Sequence, residues 1–283
     1  MDNTRKVVHV AFLGARKLLW NPRLYLLLGM MTVILLDALE PIREFSRSVG
    51  YRITPWFYTF LLRDTIGYGL MLLLGLVLLF CDAPFLDAGQ TSVIVRVGKK
   101  NWCYGQLLYI FLCTGLYFLV LFVLLCLVLG PDLTIQAGWG KVLTTAAYPA
   151  ADVFIRGPVY PWQIIQGLPG AAATLLTFLA HWLAGFLLGA MMFFLNLRHQ
   201  QKIGAIAGTA LVLLRAFVRF IGATRLARYV FFLSPFTIIL PEHLQSFPYT
   251  ACVFGGLLLV AVLLIFASIR TILSQDLPTL NEI

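Results

Sequence analysis

Few side chains in this chain could do chemistry, and their spacing narrows what that chemistry could be. Four histidines, His9, His181, His199 and His243, are scattered. None forms an HExxH pair, which would put two zinc ligands on one helical face. The Lys99-Lys100 pair follows Gly98, but there is no earlier glycine at phosphate-loop spacing and no Ser or Thr after the lysines. The backbone cradle of a GxxxxGK[ST] nucleotide site is therefore missing. A GxSxG nucleophile elbow is missing too. The five cysteines (Cys81, Cys103, Cys113, Cys126, Cys252) make no CxxC pair and read as buried thiols at small apolar positions. No catalytic residue, metal site or cofactor is expected in this chain.

What is left is charge in apolar surroundings. Arg215 and Arg219 stand four apart, on one face of a helix. Charges inside a span usually face the bundle interior or a water-filled path. The two could meet an anionic substrate group or a lipid headgroup along a transport route, or they could snorkel to the membrane surface. Asp37, near the end of another apolar run, could pair with one of them. His181-Trp182 reads as a packing or interface pair rather than a proton relay.

The elements that must position these groups follow from composition. Of 283 residues, 60% are hydrophobic and 12% charged, against about 25% charged in a soluble domain. A crossing helix needs about 20 apolar residues, and only helices or closed barrels satisfy backbone groups in lipid. The apolar runs are continuous rather than short and alternating, which selects helices. The expected fold is an all-α membrane protein, a six-span helical bundle. The spans fall near 24–39, 65–81, 105–129, 171–195, 203–221 and 249–269, with no division into domains.

Residues 5–20 predict an amphipathic helix lying in the membrane interface. Arg5, Lys6, His9, Arg16 and Lys17 face one way; Val7, Val8, Ala11, Phe12, Ala15, Leu18 and Leu19 face the other. Val10, Leu13 and Trp20 break the pattern. The alternative is a cytosolic helix packed on the bundle. Pro41 and Pro55 punctuate a polar, aromatic segment over 40–64, and the proline-rich region 130–170 reads as an ordered external loop. The segment 222–248, broken at Pro235 and Pro241, suggests re-entrant half-helices. Gly185-xxx-Gly189 and Gly204-xxx-Gly208 put small residues where helices could pack closely. The basic lead before the first span shows no signal-cleavage pattern.

The net charge of +9 could suggest nucleic acid, but no long basic run is present, and the basic residues fall between apolar segments. Membrane lipid is the expected partner and nucleic acid is not. Six spans put both termini on one side. That side also holds Arg96, Lys99, Lys100, Arg198 and Lys202 in short loops, so the positive-inside rule favours cytoplasmic termini in the cell membrane. The basic run from Arg198 to Arg228 dissents, and would fit a cytosolic segment with 203–221 lying flat.

The mixed stretch 82–104 is the most informative. Asp82 or Asp87 supplies an acid, Gln90-Thr91-Ser92 a polar turn, and Val93 to Val97 an apolar run around Arg96. Gly98-Lys99-Lys100 forms a basic turn, and Trp102 then leads into the third span. This order resembles the coupling loop between the second and third spans of ABC-2-type permeases, the membrane subunits of many ABC exporters. The proline that usually precedes the basic turn is absent here, and Gln106 stands where lysine is frequent. The six-span layout, the amphipathic lead and the broken segment before the last span are also similar to that family.

The resemblance implies a permease subunit without catalysis of its own, paired with a second permease subunit as homo- or heterodimer. ATP and Mg would be held by a separate ATP-binding subunit. Asp82, Asp87, Thr91, Arg96, Lys99, Lys100 and Trp102 would couple to that ATPase. Asp37, Arg215 and Arg219 would border a substrate path or contact lipid. A membrane scaffold or assembly factor, and an unusual intramembrane enzyme, are the alternatives from other classes.

Overall fold

A computed structural model describes residues 3–85, 90–148, 158–199, 203–222 and 224–274. Helix α1 (Asn3–Leu19) leads into α2 (Pro22–Val49), α3 (Phe57–Arg63) and α4 (Tyr68–Phe80). The short α5 (Gln90–Val97) precedes the long α6 (Lys99–Leu129), and α7 (Gly140–Ala146) and α8 (Trp162–Gly167) follow. Next come α9 (Gly170–His199), α10 (Ile203–Ile221), α11 (Arg225–Phe231), α12 (Pro235–Ile238) and α13 (Phe247–Ser274). Among the described residues there is no β-strand; one isolated bridge joins Ile53 to Leu133.

Among the described residues, five helices (α2, α6, α9, α10 and α13) are long and apolar enough to cross a membrane. Helices α3 and α4 meet the same test together, but they bend by 75° at the break between them. The protein is an all-α, multi-pass membrane protein. Helix α9 is its centre: 67% of its apolar window is buried, against 22% for both α10 and α13. The Gly185 and Gly189 positions let α9 approach closely. A Cβ at Gly185 would lie 2.6 Å from Thr114, and one at Gly189 would lie 2.5 Å from Ile110. The GxxxG spacing therefore works within one subunit. On α10, Gly204 and Gly208 do the same against Asn196 and Met192 of α9.

Polar contacts sort the connections to two ends of the bundle. At the α1 end, Arg23 pairs with Asp82, Asn101 Nδ2 donates to Asn3 (3.2 Å), and Asn196 Nδ2 donates to the Ala83 carbonyl (2.6 Å). At the opposite end, Ile53 N donates to Asp132 O (2.8 Å) and Trp56 Nε1 to Gln136 O (2.7 Å). Gln245 Nε2 reaches Gln163 O there (2.7 Å). Helices α2, α6 and α9 thus run from one of these ends to the other.

Several expected boundaries move. The first span, expected at 24–39, is part of a 28-residue helix that runs through Pro41 to Val49. Proline removes one intrahelical bond, but packing compensates. Ile42 and Ser46 are buried, and Arg43 and Arg47 both reach Asp132 across the bundle, at 3.2 and 3.6 Å. Gly50, at φ 70°, then ends the helix with its N–H on Ser46 O. Where the second span is expected, at 65–81, the chain forms α4, only 13 residues long and bent by 75° from α3. The third starts at Lys99 rather than 105, because α6 takes in the basic turn. The span expected at 203–221 coincides with α10.

Helix α1 also differs in face. Val10, which breaks the amphipathic pattern, is buried with Ala11 against α6, where a Cβ on Gly105 would lie 2.5 Å from Val10. Val8, Phe12 and Leu19 are exposed instead. The helix is thus packed on the bundle and also shows a second apolar strip. The cause is the glycine at 105, which admits β-branched Val10 to the α6 surface.

Candidate functional site

Two places carry the candidate residues. The first is the elbow between α4 and α6. Gly98 sits at φ 87°, a conformation open to glycine, and turns the chain from α5 into α6. Its N–H donates to Ile94 O (2.8 Å), and its carbonyl accepts from Trp102 N (3.0 Å). Trp102 is fully buried, and its Nε1 donates to Gln90 Oε1 (2.9 Å), which ties the start of α5 to the first turn of α6. This buried indole is a strut rather than a docking contact. Arg96 and Lys100 are exposed, as is Val95 at 81%. Lys99 is half-buried. Helix α5 therefore holds the bundle with Gln90 and Ile94 and turns Val95 and Arg96 outward.

Asp82 is exposed, but Arg23 at the start of α2 pairs with it, so its acid serves the join between α2 and α4. Asp87 lies outside the described residues. Thr91 falls in the first turn of α5. Asn196 is a functional tie not anticipated from the sequence. It donates to Ala83 O and accepts from Gly204 N (2.7 Å), joining α9, α10 and the 81–85 turn. Its position at the head of the polar turn after the fourth apolar run was the one available signal.

The second place is the break at residues 64–67. Helix α3 ends at Arg63, leaving last-turn carbonyls without intrahelical partners. Arg215, fully buried on α10, donates an Nη2 hydrogen bond to Leu62 O. Its Nε and Nη1 have no hydrogen-bond partner among the described residues. His181 of α9 is also fully buried; its Nδ1 faces Thr177 O (2.8 Å), and the ring lies within electrostatic reach of both the Leu62 carbonyl and Arg215. Arg63 holds Glu242 at 3.1 Å, from the segment before α13. Asp64 Oδ2 accepts from Tyr68 N (2.6 Å) and so caps α4. Tyr160, outside the spans, packs on Phe57 and Phe60, and burial pushes its phenol up.

Asp37 pairs with neither arginine. It accepts from Tyr68 Oη (2.7 Å) at the start of α4. Arg215 does not snorkel, whereas Arg219, one turn further along, is exposed. Arg215 is turned towards α3 and α9, where it meets Leu62 O and His181, whereas the Arg219 side chain faces outward. His181 and Trp182 are packing residues in part, with Trp182 Nε1 donating to Phe111 O (2.8 Å) over a ring-stacked Phe111. Asp64, Glu242 and the Leu62 carbonyl escaped the sequence reading. An acid four residues before an apolar run, with Gly67 between, was the available sign of a capped helix start.

Fold and site together define a multi-pass, all-α membrane protein with a charged break between α3 and α4. Comparison with protein-family models, curated proteins and solved structures finds no match to this chain.

Proposed function

We propose that this chain is the permease subunit of an ABC-type exporter, driven by separate ATP-binding subunits. The observation that carries the reading is α5. It is a short helix between the second and third crossings, braced from behind by the Trp102–Gln90 bond and presenting Val95 and Arg96 outward. Such a brace would let a push on α5 move α6 as one body. Counting α3–α4 as one bent crossing makes six spans, an even number that would put both termini at the α1 end. The basic residues Arg96 and Lys100 at that end favour the cytoplasm. Two permease subunits would enclose the substrate path, with ATP and Mg in the partner ATPases and no catalysis in this chain. The charged break around Arg215 and His181 would be the hinge that lets the bent span change shape.

Affinity capture of the full chain from its native membrane, read by mass spectrometry, tests this. A Walker-motif ATPase should co-purify with the wild type and be lost with Val95→Asp or Arg96→Glu. Absence of any ATPase, or capture unchanged in both variants, would remove the reading in favour of a membrane scaffold.

A further inference from the structure

Helices α10 and α13 both pack on α9, and between them stays a cleft of about 580 Å³. Leu187 of α9 is its floor, Leu211 one wall, and Leu257 with Leu264 the other; Pro235, at the start of α12, roofs it. That volume falls within the ~300–1,000 Å³ of ordinary ligand sites. The lining is apolar apart from Cys252 and Tyr249, and the Tyr249 hydroxyl is already bonded to Ile238 O (3.2 Å). From Tyr249 to Leu264 the cleft follows α13 for roughly 22 Å at ~1.5 Å per residue. One leaflet of a ~30 Å hydrocarbon core is shorter than this.

We infer that this cleft binds one acyl chain of an anionic phospholipid from the surrounding bilayer. Water gains nothing from such walls, and the cleft lies along membrane-crossing helices, where hydrocarbon is the available filler. The headgroup sign comes from Arg219 and Arg225. Arg219 stands about 12 Å beyond Leu211 along α10, towards the end that Pro235 and Tyr249 close, and Arg225 opens α11. Both are exposed and make no ion pair among the described residues. The two exposed cations flank the turn at Gly222, on the side of the cleft towards which α10 runs, so an anionic headgroup is favoured there over a neutral one. This inference stands apart from the permease reading and needs no ATPase.

Gly256 gives the test. It lines the cleft, and a Cβ placed on it meets nothing within 4 Å, so Gly256→Trp can fill the space without moving backbone. Gly255 is equally open but does not line the cleft, which makes Gly255→Trp the control. Native mass spectrometry of the purified full chain, mixed with phosphatidylglycerol or phosphatidylcholine, counts retained lipid. Wild type and Gly255→Trp should retain one phosphatidylglycerol under conditions where Gly256→Trp retains at least tenfold less. Arg219→Gln with Arg225→Gln should erase the preference over phosphatidylcholine. Equal retention by the two tryptophan variants would overturn the site. So would a change of Gly256→Trp from dimer to monomer at unchanged lipid count, which would make the cleft a self-association surface. A second measurement needs neither tryptophan. A fluorophore on Cys252 should be quenched by acyl-spin-labelled phosphatidylglycerol more than by the phosphatidylcholine analogue; equal quenching would also overturn the inference.

Discussion

The Arg215 guanidinium donates to the carbonyl of Leu62, so a cation on α10 closes the broken end of α3. Non-helical backbone at membrane depth is tolerated only where something else satisfies it. A positive group at a helix C-terminus also meets the negative end of the helix dipole. One contact therefore answers both needs of the bend, and Arg63–Glu242 anchors the same bend from the other side.

Arg215→Ala should lower stability by about 1–3 kcal/mol, the cost of leaving the buried Leu62 carbonyl without its donor. Arg215→Lys should recover part of the loss, since an ammonium still donates. Thermal unfolding in detergent, followed by tryptophan emission, reads both. An alanine variant melting with the wild type would remove the capping role.

Arg63 and Glu242 are 14% and 22% exposed, whereas Arg47 beside Asp132 is 65% exposed. Solvent screening weakens exposed pairs to about 0–1 kcal/mol. A double-mutant cycle of Arg63→Gln with Glu242→Gln should therefore show coupling above ~1 kcal/mol. The cycle of Arg47→Gln with Asp132→Asn should show less than ~0.5 kcal/mol. The reverse order would mean that the Arg63 pair adds no strength to the bend.

Trp102→Ala should cost about 3–5 kcal/mol, as large-to-small changes in packed cores do. Gln90→Leu leaves the indole N–H buried without a partner, at about 1–3 kcal/mol. Limited trypsin digestion adds a local reading: both variants should be cut faster at Arg96 than the wild type. Arg96→Glu, on the outward face, should change stability by no more than ~0.5 kcal/mol. If the tryptophan change is silent in melting and proteolysis, the brace is not where α5 is held.

Gly189→Leu should destabilise by about 1–3 kcal/mol through overpacking, because its Cβ direction is filled by Ile110 and Phe80. Gly255→Leu, with nothing near its Cβ, should be close to neutral. Paired melting curves decide this, and equal effects would place the α9 contact elsewhere.

Much of the fold is legible without coordinates, and the limits have identifiable causes. The helix expected at 203–221 was legible, because polar residues follow the fourth apolar run in the sequence, although α9 runs on through the start of that polar stretch to His199. The bend at 64–67 was not. Its acid cap and its charged partner on another segment matter only once α10 and the 239–246 segment are in place. At the elbow, residue order suggested coupling for Trp102, and the fold turned that indole inward.

Apolar run length alone determined that this is a multi-pass helical membrane protein, because partition into hydrocarbon depends on composition over ~20 residues and on little else. The sequence also put Arg215 and Arg219 on one helical face, through the 3.6-residue period. Which of the two is buried was decided only by tertiary structure. Periodicity states which side chains share a face, whereas burial depends on what packs against each turn, and here the broken end of α3 and His181 of α9 meet the first arginine but not the second.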